Sequence, residues 1–474
     1  MKFFGLAALA MLAGCAAQPP YQRPAIAPPA QFKRATPAAQ AAGIWRPAQP
    51  QDAALPQQWW RLFGDPELDR LQQQAADERL GNPGIAQAVA RLRAAQAAVA
   101  GSRAGLLPAL GASGGATRAR GAAGTGTGGG AAASSYTLGL NASWELDLWG
   151  RLSGAVDASV ASAQASSADL AAARLSLQAL LAQTYFALRA AEAQGLLLQD
   201  TLNAYEQSWQ LTRNRERAGV ASPADVAQAE AQYKSTQAQL LEAATSRAQL
   251  EHALAALLGL APGAFDLQAT GALPAPPAVP AELPAQLLQQ RPDIAAAQLR
   301  VAAANAQVGV AQAAYFPALT LSAAAGYRGA QLRDLVSAPH LFWSLGPALA
   351  LSLFDGGARG AAVESARAAL DLASAGYRQS VITALQEVED NLVAATALAQ
   401  EQQLQSEAVA AAQRALQIVT NQYQAGTVGY LNVLSAQATV LAARRSLIDV
   451  QNRRLTAVNT LLKNVAGRWA YTEG

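Results

Sequence analysis

The sequence predicts a mainly α-helical chain that also carries membrane β-strands and is built from two copies of one plan. Three observations carry this prediction. Two long stretches, 151–217 and 357–425, contain no proline and repeat apolar residues at helical spacing. Three short segments alternate apolar and polar residues with period two, and a fourth precedes the first of them across a Gly-rich loop. Landmark motifs recur at a nearly constant separation, so the chain reads as a duplication.

The first long stretch, Arg151 to Arg217, steps its apolar residues through Val156, Val160, Ala163, Leu170, Leu177, Leu181 and Leu188. Alanine, glutamine, leucine and arginine dominate it, and all are good helix formers. As one helix it is ~100 Å long at ~1.5 Å per residue. Helices of globular domains average about a dozen residues. A rod of this length has to lie beside other rods, in a coiled coil or a wall of helices. The second stretch repeats the plan with Leu370, Tyr377, Val381, Leu385, Val388 and Leu392.

Composition agrees with extensive helix–helix contact, since 51% of the 474 residues are hydrophobic and only 14% charged. A formal net charge of +3 leaves no footprint for nucleic acid. The single cysteine, Cys15, excludes an intramolecular disulfide, and His252 and His340 stand far apart without metal-ligand spacing. No run of about 18 apolar residues marks a transmembrane helix.

Residues 1–14 read as an export signal, with Lys2, an apolar run from Phe3 to Leu12, and Ala13-Gly14 before Cys15. Leu12-Ala13-Gly14-Cys15 resembles the bacterial lipobox. That resemblance implies cleavage before Cys15 and a covalent lipid on it, N-acyl plus S-diacylglycerol. Several acyl chains anchor stably, because each buried CH₂ contributes ~0.8 kcal/mol. A plain signal peptide with an incidental cysteine is the alternative. Ala16 and not aspartate follows the cysteine, which by the same resemblance favours the outer membrane. Residues 15–58, rich in Pro, Ala and Gln, form an extended acylated tether.

The first repeat, 59–263, opens on Trp59-Trp60-Arg61-Leu62-Phe63-Gly64-Asp65-Pro66, with Asp65 placed to cap a helix and Pro66 in its first turn. Asn82-Pro83 begins a helix to about Arg103, a strand pair occupies 105–148, and a long helical hairpin fills 151–260. A Pro-rich linker, 264–285, leads to the second repeat, 286–468. There Arg291-Pro292-Asp293-Ile294 begins a helix to about Ala314, strands fall within 316–354, and the second hairpin spans 357–467, leaving a tail at 469–474. Pro83 and Pro292 lie 209 apart (292 − 83), as do Pro108 and Pro317 (317 − 108), while Gly219 and Gly426 lie 207 apart (426 − 219).

From Tyr136 to Leu148 every even residue is apolar or aromatic, and every odd one is small or polar, including Glu145 and Asp147. Its partner runs from Leu106 to about Thr117, across a Gly-rich loop at 118–133. In the second half Leu319 to Tyr327 and Trp343 to Leu353 alternate likewise. A tilted strand of about 9–11 residues spans a bilayer, and an apolar face backed by a polar one suits an outer-membrane barrel with a wet lumen. Two soluble hairpins packed on the helices are the alternative. Four strands do not close a barrel, and lipid does not tolerate an open edge. Three chains therefore have to pool their strands into a trimeric 12-stranded barrel.

Each rod stops at a glycine, Gly219 or Gly426, and a second helix runs back from it. Ser222-Pro223-Ala224-Asp225 supplies a cap, a proline in first position and an acid in the first turn. Thr427 is placed to cap the other return helix, ahead of Tyr430-Leu431. The turns, with Gly219, Val220, Ser222, Gly426 and Thr427, mark a far end where a gate or a docking surface would sit. Arg213, Arg215 and Arg217 either complement a helix C-terminus or hold neighbouring helices. Arg444, Arg445, Arg453 and Arg454 read as a solvated face or interhelix pairs.

Together these motifs (the Trp59–Leu68 opening, the lipobox, Arg291-Pro292-Asp293-Ile294, Phe316-Pro317, Ala218-Gly219-Val220 and Tyr423-x-x-Gly426-Thr427) resemble the TolC-like outer membrane factor family. Within it they are most similar to the acylated lipoproteins of resistance-nodulation-division (RND) efflux pumps, the OprM and NodT type. The resemblance covers essentially all of the mature chain. It implies a homotrimer, with a 12-stranded barrel in the outer membrane continued by a periplasmic α-helical coiled-coil barrel. It implies a passive exit duct for drugs or other small molecules, partnered by a periplasmic adaptor (membrane fusion protein) and an inner-membrane RND transporter, and surrounded by outer-membrane lipid. The tip turns would then dock the adaptor.

The resemblance also implies a gate just after the second tip. Leu431 falls where relatives have an apolar constriction; a coiled-coil core position is the other reading. Relatives carry aspartate at the position of Asn432 and, in some, of Ser435; both are neutral here, which puts an acidic ring from this helix in doubt. Asp225 is the first-half counterpart and keeps its acid, with simple helix capping as its other reading. Type I protein secretion is the alternative within the class, and a structural envelope coiled coil the alternative outside it. No nucleophile–base pair, metal cluster or phosphate loop points to an enzyme or a cofactor. The Gly-rich run 121–130 lies between strands and not before a helix.

Overall fold

The computed structural model describes residues 20–22, 24, 33, 45–47, 58–76, 81–120, 132–281 and 291–466. Cys15, the export signal, most of the tether and the Gly-rich loop at 121–131 lie outside the described residues. In chain order the elements are β1 (Trp45–Pro47), a 3-10 turn (Trp59–Phe63), α1 (Pro66–Ala76), α2 (Pro83–Ala104), β2 (Ala109–Arg120), β3 (Ala132–Leu146), α3 (Arg151–Arg217) and α4 (Pro223–Leu257). There follow β4 (Val279–Ala281), α5 (Pro292–Ala313), β5 (Ala318–Gly329), β6 (Leu341–Ala350), α6 (Ala358–Gln424) and α7 (Tyr430–Ala466). Both rods are single helices of 67 residues. The chain divides into two units: one holds residues 1–25, 91–167 and 296–378, the other 26–90, 168–295 and 379–474.

In the first unit the four long strands form one antiparallel sheet in the order β2-β3-β5-β6. The two hairpins are joined through β3 and β5, with Tyr136 opposite Gly329 and Leu146 opposite Leu319. This leaves β2 and β6 as free edges among the described residues.

Strand ends differ from the sequence expectation in two ways. β2 runs on to Arg120 and β3 begins at Ala132, both extending into the expected loop at 118–133, and β6 begins at Leu341. Three ends nearer the helices differ for local reasons. Leu106 and Leu107 belong to the turn closing α2, their amides donating to the Arg103 and Ala104 carbonyls at 3.1 Å each. β2 consequently starts at Ala109 and reaches Arg120. β3 ends at Leu146 because Asp147 turns away to cap α3, its carboxylate accepting the Leu152 and Ser153 amides at 3.0 and 2.8 Å. Glu145 is held by Arg151 at 3.0 and 2.7 Å. β6 ends at Ala350, opposite the first residue of β5, Ala318. Past that point no strand among the described residues pairs with it, and Leu353 and Phe354 stand 88% and 90% exposed. Trp149 stacks on Phe316 at 4.9 Å and donates to the Pro317 carbonyl at 2.7 Å, tying the feet of β3 and β5 together.

The second unit holds the main apolar core, where Trp59, Phe63, Leu68, Phe186 and Leu254 are buried together. Asp65 explains the opening motif. Its Oδ1 caps α1 by accepting the Glu67 and Leu68 amides at 2.9 and 3.1 Å, and its Oδ2 accepts the Tyr185 hydroxyl at 2.7 Å. Burial, reinforced by Asp65, raises the pKa of Tyr185. Arg291 begins the second repeat as an anchor, donating to Asn464 at 2.8 Å and to Asp293 at 3.1 and 2.8 Å. β1 lies parallel to β4, Trp45 opposite Val279.

The inter-repeat linker is clamped by an ion cluster that the sequence reading did not single out. The Arg189 and Glu192 side chains, each 2% exposed, meet at 2.7 Å. Arg189 donates to the Gln268 carbonyl at 2.9 Å, and Glu192 accepts the Thr270 and Gly271 amides at 3.1 and 3.3 Å. Arg247 joins Glu192 at 3.3 Å and the Leu267 carbonyl at 2.6 Å.

Candidate functional site

Both hairpin tips lie in the second unit. At the first, Gly219 takes φ +75°, its amide donates to Glu216 at 2.8 Å, and the Val220 amide reaches back to Arg215 at 2.8 Å. The second repeats this, with Gly426 at φ +77° and the Gly426 and Thr427 amides donating to Tyr423 and Gln422 at 3.0 Å each. Each is a left-handed helix stop that satisfies orphan carbonyls. A Cβ on either glycine would meet nothing within 4 Å, so backbone conformation and not space demands glycine.

The return helices start differently. Ser222 forms a full capping box on α4: its Oγ accepts the Asp225 amide at 3.2 Å, while Asp225 Oδ2 accepts the Ser222 amide at 3.1 Å and hydroxyl at 2.9 Å. The Asp225 carboxylate is thus engaged as a cap. Thr427 does not cap α7, which begins three residues later at Tyr430; its hydroxyl donates back to the Gln422 carbonyl at 3.0 Å and closes α6 instead. Gly429 precedes α7 with no side chain to offer, and its carbonyl accepts the Asn432 amide at 3.2 Å.

Beneath the tips, Ala229, Tyr423, Tyr430 and Val433 form a small buried cluster, the two tyrosine rings 5.7 Å apart. The Arg215 guanidinium lies 4.5 Å over the Tyr423 ring and donates to its carbonyl at 3.2 Å, so this arginine ties the two hairpins together. Burial, with the neighbouring Tyr423, Tyr205 and Asp225, pushes the Tyr430 hydroxyl up to about 12. On the other side of α7's first turns Leu431 is 57% exposed, and Asn432 and Ser435 are exposed beside it. Leu431 therefore fills no core position within one chain. Val220 is exposed at the first tip. Higher up, Arg445, Arg453 and Arg454 make interhelix bonds to Gln239, Glu401 and Gln402 at 3.2, 3.0 and 3.0 Å.

The sheet of the first unit has two unlike faces. Cross-strand register places Leu110, Leu140, Trp144, Leu321 and Leu345 on one and Thr137, Asn141, Ser143, Thr320 and Ser322 on the other. Among the described residues no helix is long and apolar enough to cross a membrane.

A sequence profile of the outer membrane efflux proteins matches residues 75–260 and again 283–467. The chain belongs to that family. Its two matches fall one in each half of the chain, and membership decides for a transport channel over a structural coiled coil and points away from an enzyme. The toluene efflux pump outer membrane protein TtgC of Pseudomonas putida is 33% identical over 465 residues, 97% of this chain and 94% of that one. The pyoverdine export outer membrane protein OpmQ of Pseudomonas aeruginosa is 33% identical over 432 residues, 88% of this chain and 89% of that one. Among solved structures, the outer-membrane channel OprN matches with a TM-score of 0.87 at 30% identity, covering 96% of this chain and 100% of that one. VceC, an outer membrane protein from Vibrio cholerae, matches with a TM-score of 0.80 at 31% identity, covering 86% and 98%. This outer membrane efflux protein thus shares their helical fold with a four-stranded antiparallel sheet.

Proposed function

We propose that three copies of this efflux protein form a passive exit duct of a tripartite RND-type pump, carrying small molecules across the outer membrane. The observation that carries it is the sheet: one apolar face, one polar face and two free edges, which in lipid call for closure by further copies. Twelve strands then make a barrel with a wet lumen, and α3, α4, α6 and α7 supply a helical wall in the periplasm. Relatives named for export of toluene and of pyoverdine support small molecules over secreted proteins as cargo. The tip turns, with Gly219, Val220, Ser222, Gly426 and Thr427, dock a periplasmic adaptor that couples the duct to an inner-membrane transporter. Leu431, with Asn432, Ser435 and Asp225, lines the gate. A lipid on Cys15 anchors the chain beside its barrel.

Single-channel recording of the purified full-length protein in a planar bilayer, alone and with adaptor, tests this. Discrete conductance steps are expected, larger or more frequent with adaptor. No pore under either condition would end the conduit reading.

A further inference from the structure

Arg118 and Arg120 stand out on the apolar face of the sheet. Register puts even-numbered residues of β2 and β3 on that face together with odd-numbered residues of β5 and β6. Among the described residues of the four strands, Arg118 and Arg120 are the only charged side chains there; Glu145 and Arg328 face the other way. Both are exposed, and opposite them on β3 are Ser134 and Ala132, neither an acid.

Their depth is informative. The row Ala116–Tyr136–Gly329 crosses the sheet just below them, with Tyr327 and Trp343 in the next rows down. Amphipathic rings mark the interfacial level of a barrel. The arginines lie one and two rows further out, at the end carrying the β2–β3 and β5–β6 loops and away from the end joined to the helices. A lipid-facing arginine is costly at the bilayer midplane and nearly free at the interface, where its stem covers apolar surface and its guanidinium meets headgroups. Two residues apart along a strand, the two stems are set ~7 Å apart, and planar guanidinium groups suit bidentate bonds to phosphate.

We propose that the outer end of β2 binds the phosphate-bearing headgroup of an outer-leaflet glycolipid, with Arg118 and Arg120 as its two-point seat. This rests on reading the strands as the wall of an outer-membrane barrel. Such a seat fixes the height of the barrel in the asymmetric membrane from the lipid side, independently of any anchor at the N-terminus.

The full-length protein in detergent, titrated with bisphosphorylated lipid A, with its dephosphorylated form and with inorganic phosphate alone, and followed by native mass spectrometry, tests this. Wild type should bind the bisphosphorylated lipid, and R118Q/R120Q should bind it about 30-fold more weakly, at the usual contribution of two surface arginines. The dephosphorylated lipid should bind both proteins equally and weakly. Equal affinity of wild type and variant for the phosphorylated lipid, or occupancy by inorganic phosphate alone at the same concentration, would overturn the proposal. Conductance recorded in parallel separates the two readings. A conducting variant that has lost the lipid supports the seat, whereas a wild type without conductance counts against the duct.

Discussion

At Leu431 a large apolar side chain stands 57% exposed one position from the buried Tyr430. Exposed substitutions usually change stability by no more than about 0.5 kcal/mol, so Leu431→Ala should leave unfolding nearly unchanged while raising basal conductance in a bilayer. Unchanged conductance would return Leu431 to a contact between copies. Asp225 needs a control, because its carboxylate serves the Ser222 box. Loss of that box costs ~1 kcal/mol, and Ser222→Ala should show that loss without removing the charge. If Asp225→Ala opens the channel and Ser222→Ala does not, the charge gates; if both act alike, the cap does. Tyr430 gives the tip a pH signature. Its hydroxyl sits at about 12 in the folded chain, above the usual tyrosine value of about 10. The folded state therefore holds a proton that the unfolded chain releases, and stability present below pH ~10 is lost as pH rises towards ~12. Tyr430→Phe should flatten that decline in thermal unfolding measured across the interval.

The helices are the elements that sequence reports best, because a period of 3.6 sustained without proline admits little else: the first rod spans Arg151–Arg217 as read, and the second, Ala358–Gln424, falls one residue short of the expected 357–425 at each end. The strands' alternation was equally plain, but their ends were not. These are decided by partners remote in sequence or by turns: Leu106 is drawn into the end of α2, Asp147 into the start of α3, and β6 stops where β5 begins. The β3–β5 pairing leaves no mark in either segment. At the tips Ser222 was legible from its neighbours, whereas Thr427 looked like a cap and bonds backward instead. The linker clamp was hidden for another reason. Arg189 and Glu192 look like an ordinary i,i+3 surface pair, and the groups that engage them, the linker carbonyl and amides and Arg247 of α4, are remote in sequence. Removing one partner of a buried pair costs ~3–5 kcal/mol, so Glu192→Gln should sharply lower the thermal unfolding temperature. Glu401→Gln breaks the half-exposed pair with Arg453 and should cost no more than ~1 kcal/mol. Equal shifts would mean the clamp contributes nothing special.

At the scale of the proposed trimer, the internal duplication predicts how one copy meets the next. Ala109 lies opposite Ser143 in the first hairpin and Ala318 opposite Ala350 in the second, so the hairpins correspond with offsets of 209 (318 − 109) and 207 (350 − 143). Within one chain β3 meets β5 with Leu146 opposite Leu319. Carrying the same junction round to the free edges places Leu353 (146 + 207) of one copy opposite Leu110 (319 − 209) of the next. Those two leucines are 88% and 84% exposed in the single chain, a poor arrangement unless something covers them. The same junction extends β6 past Ala350, where the described residues of its own chain leave it unpaired. Directly opposed residues hold their Cβ atoms ~4.5–5.5 Å apart, close enough for cysteines to oxidise with slight adjustment. In a Cys15→Ser background, Leu110→Cys with Leu353→Cys should therefore yield covalent trimers on mild oxidation, whereas Leu110→Cys with Leu341→Cys, at the far end of β6, should stay monomeric in denaturing gels. Cross-linking of the second pair and not the first would mean that the copies meet in another register, and that the symmetry of the two repeats does not extend across the edge between chains.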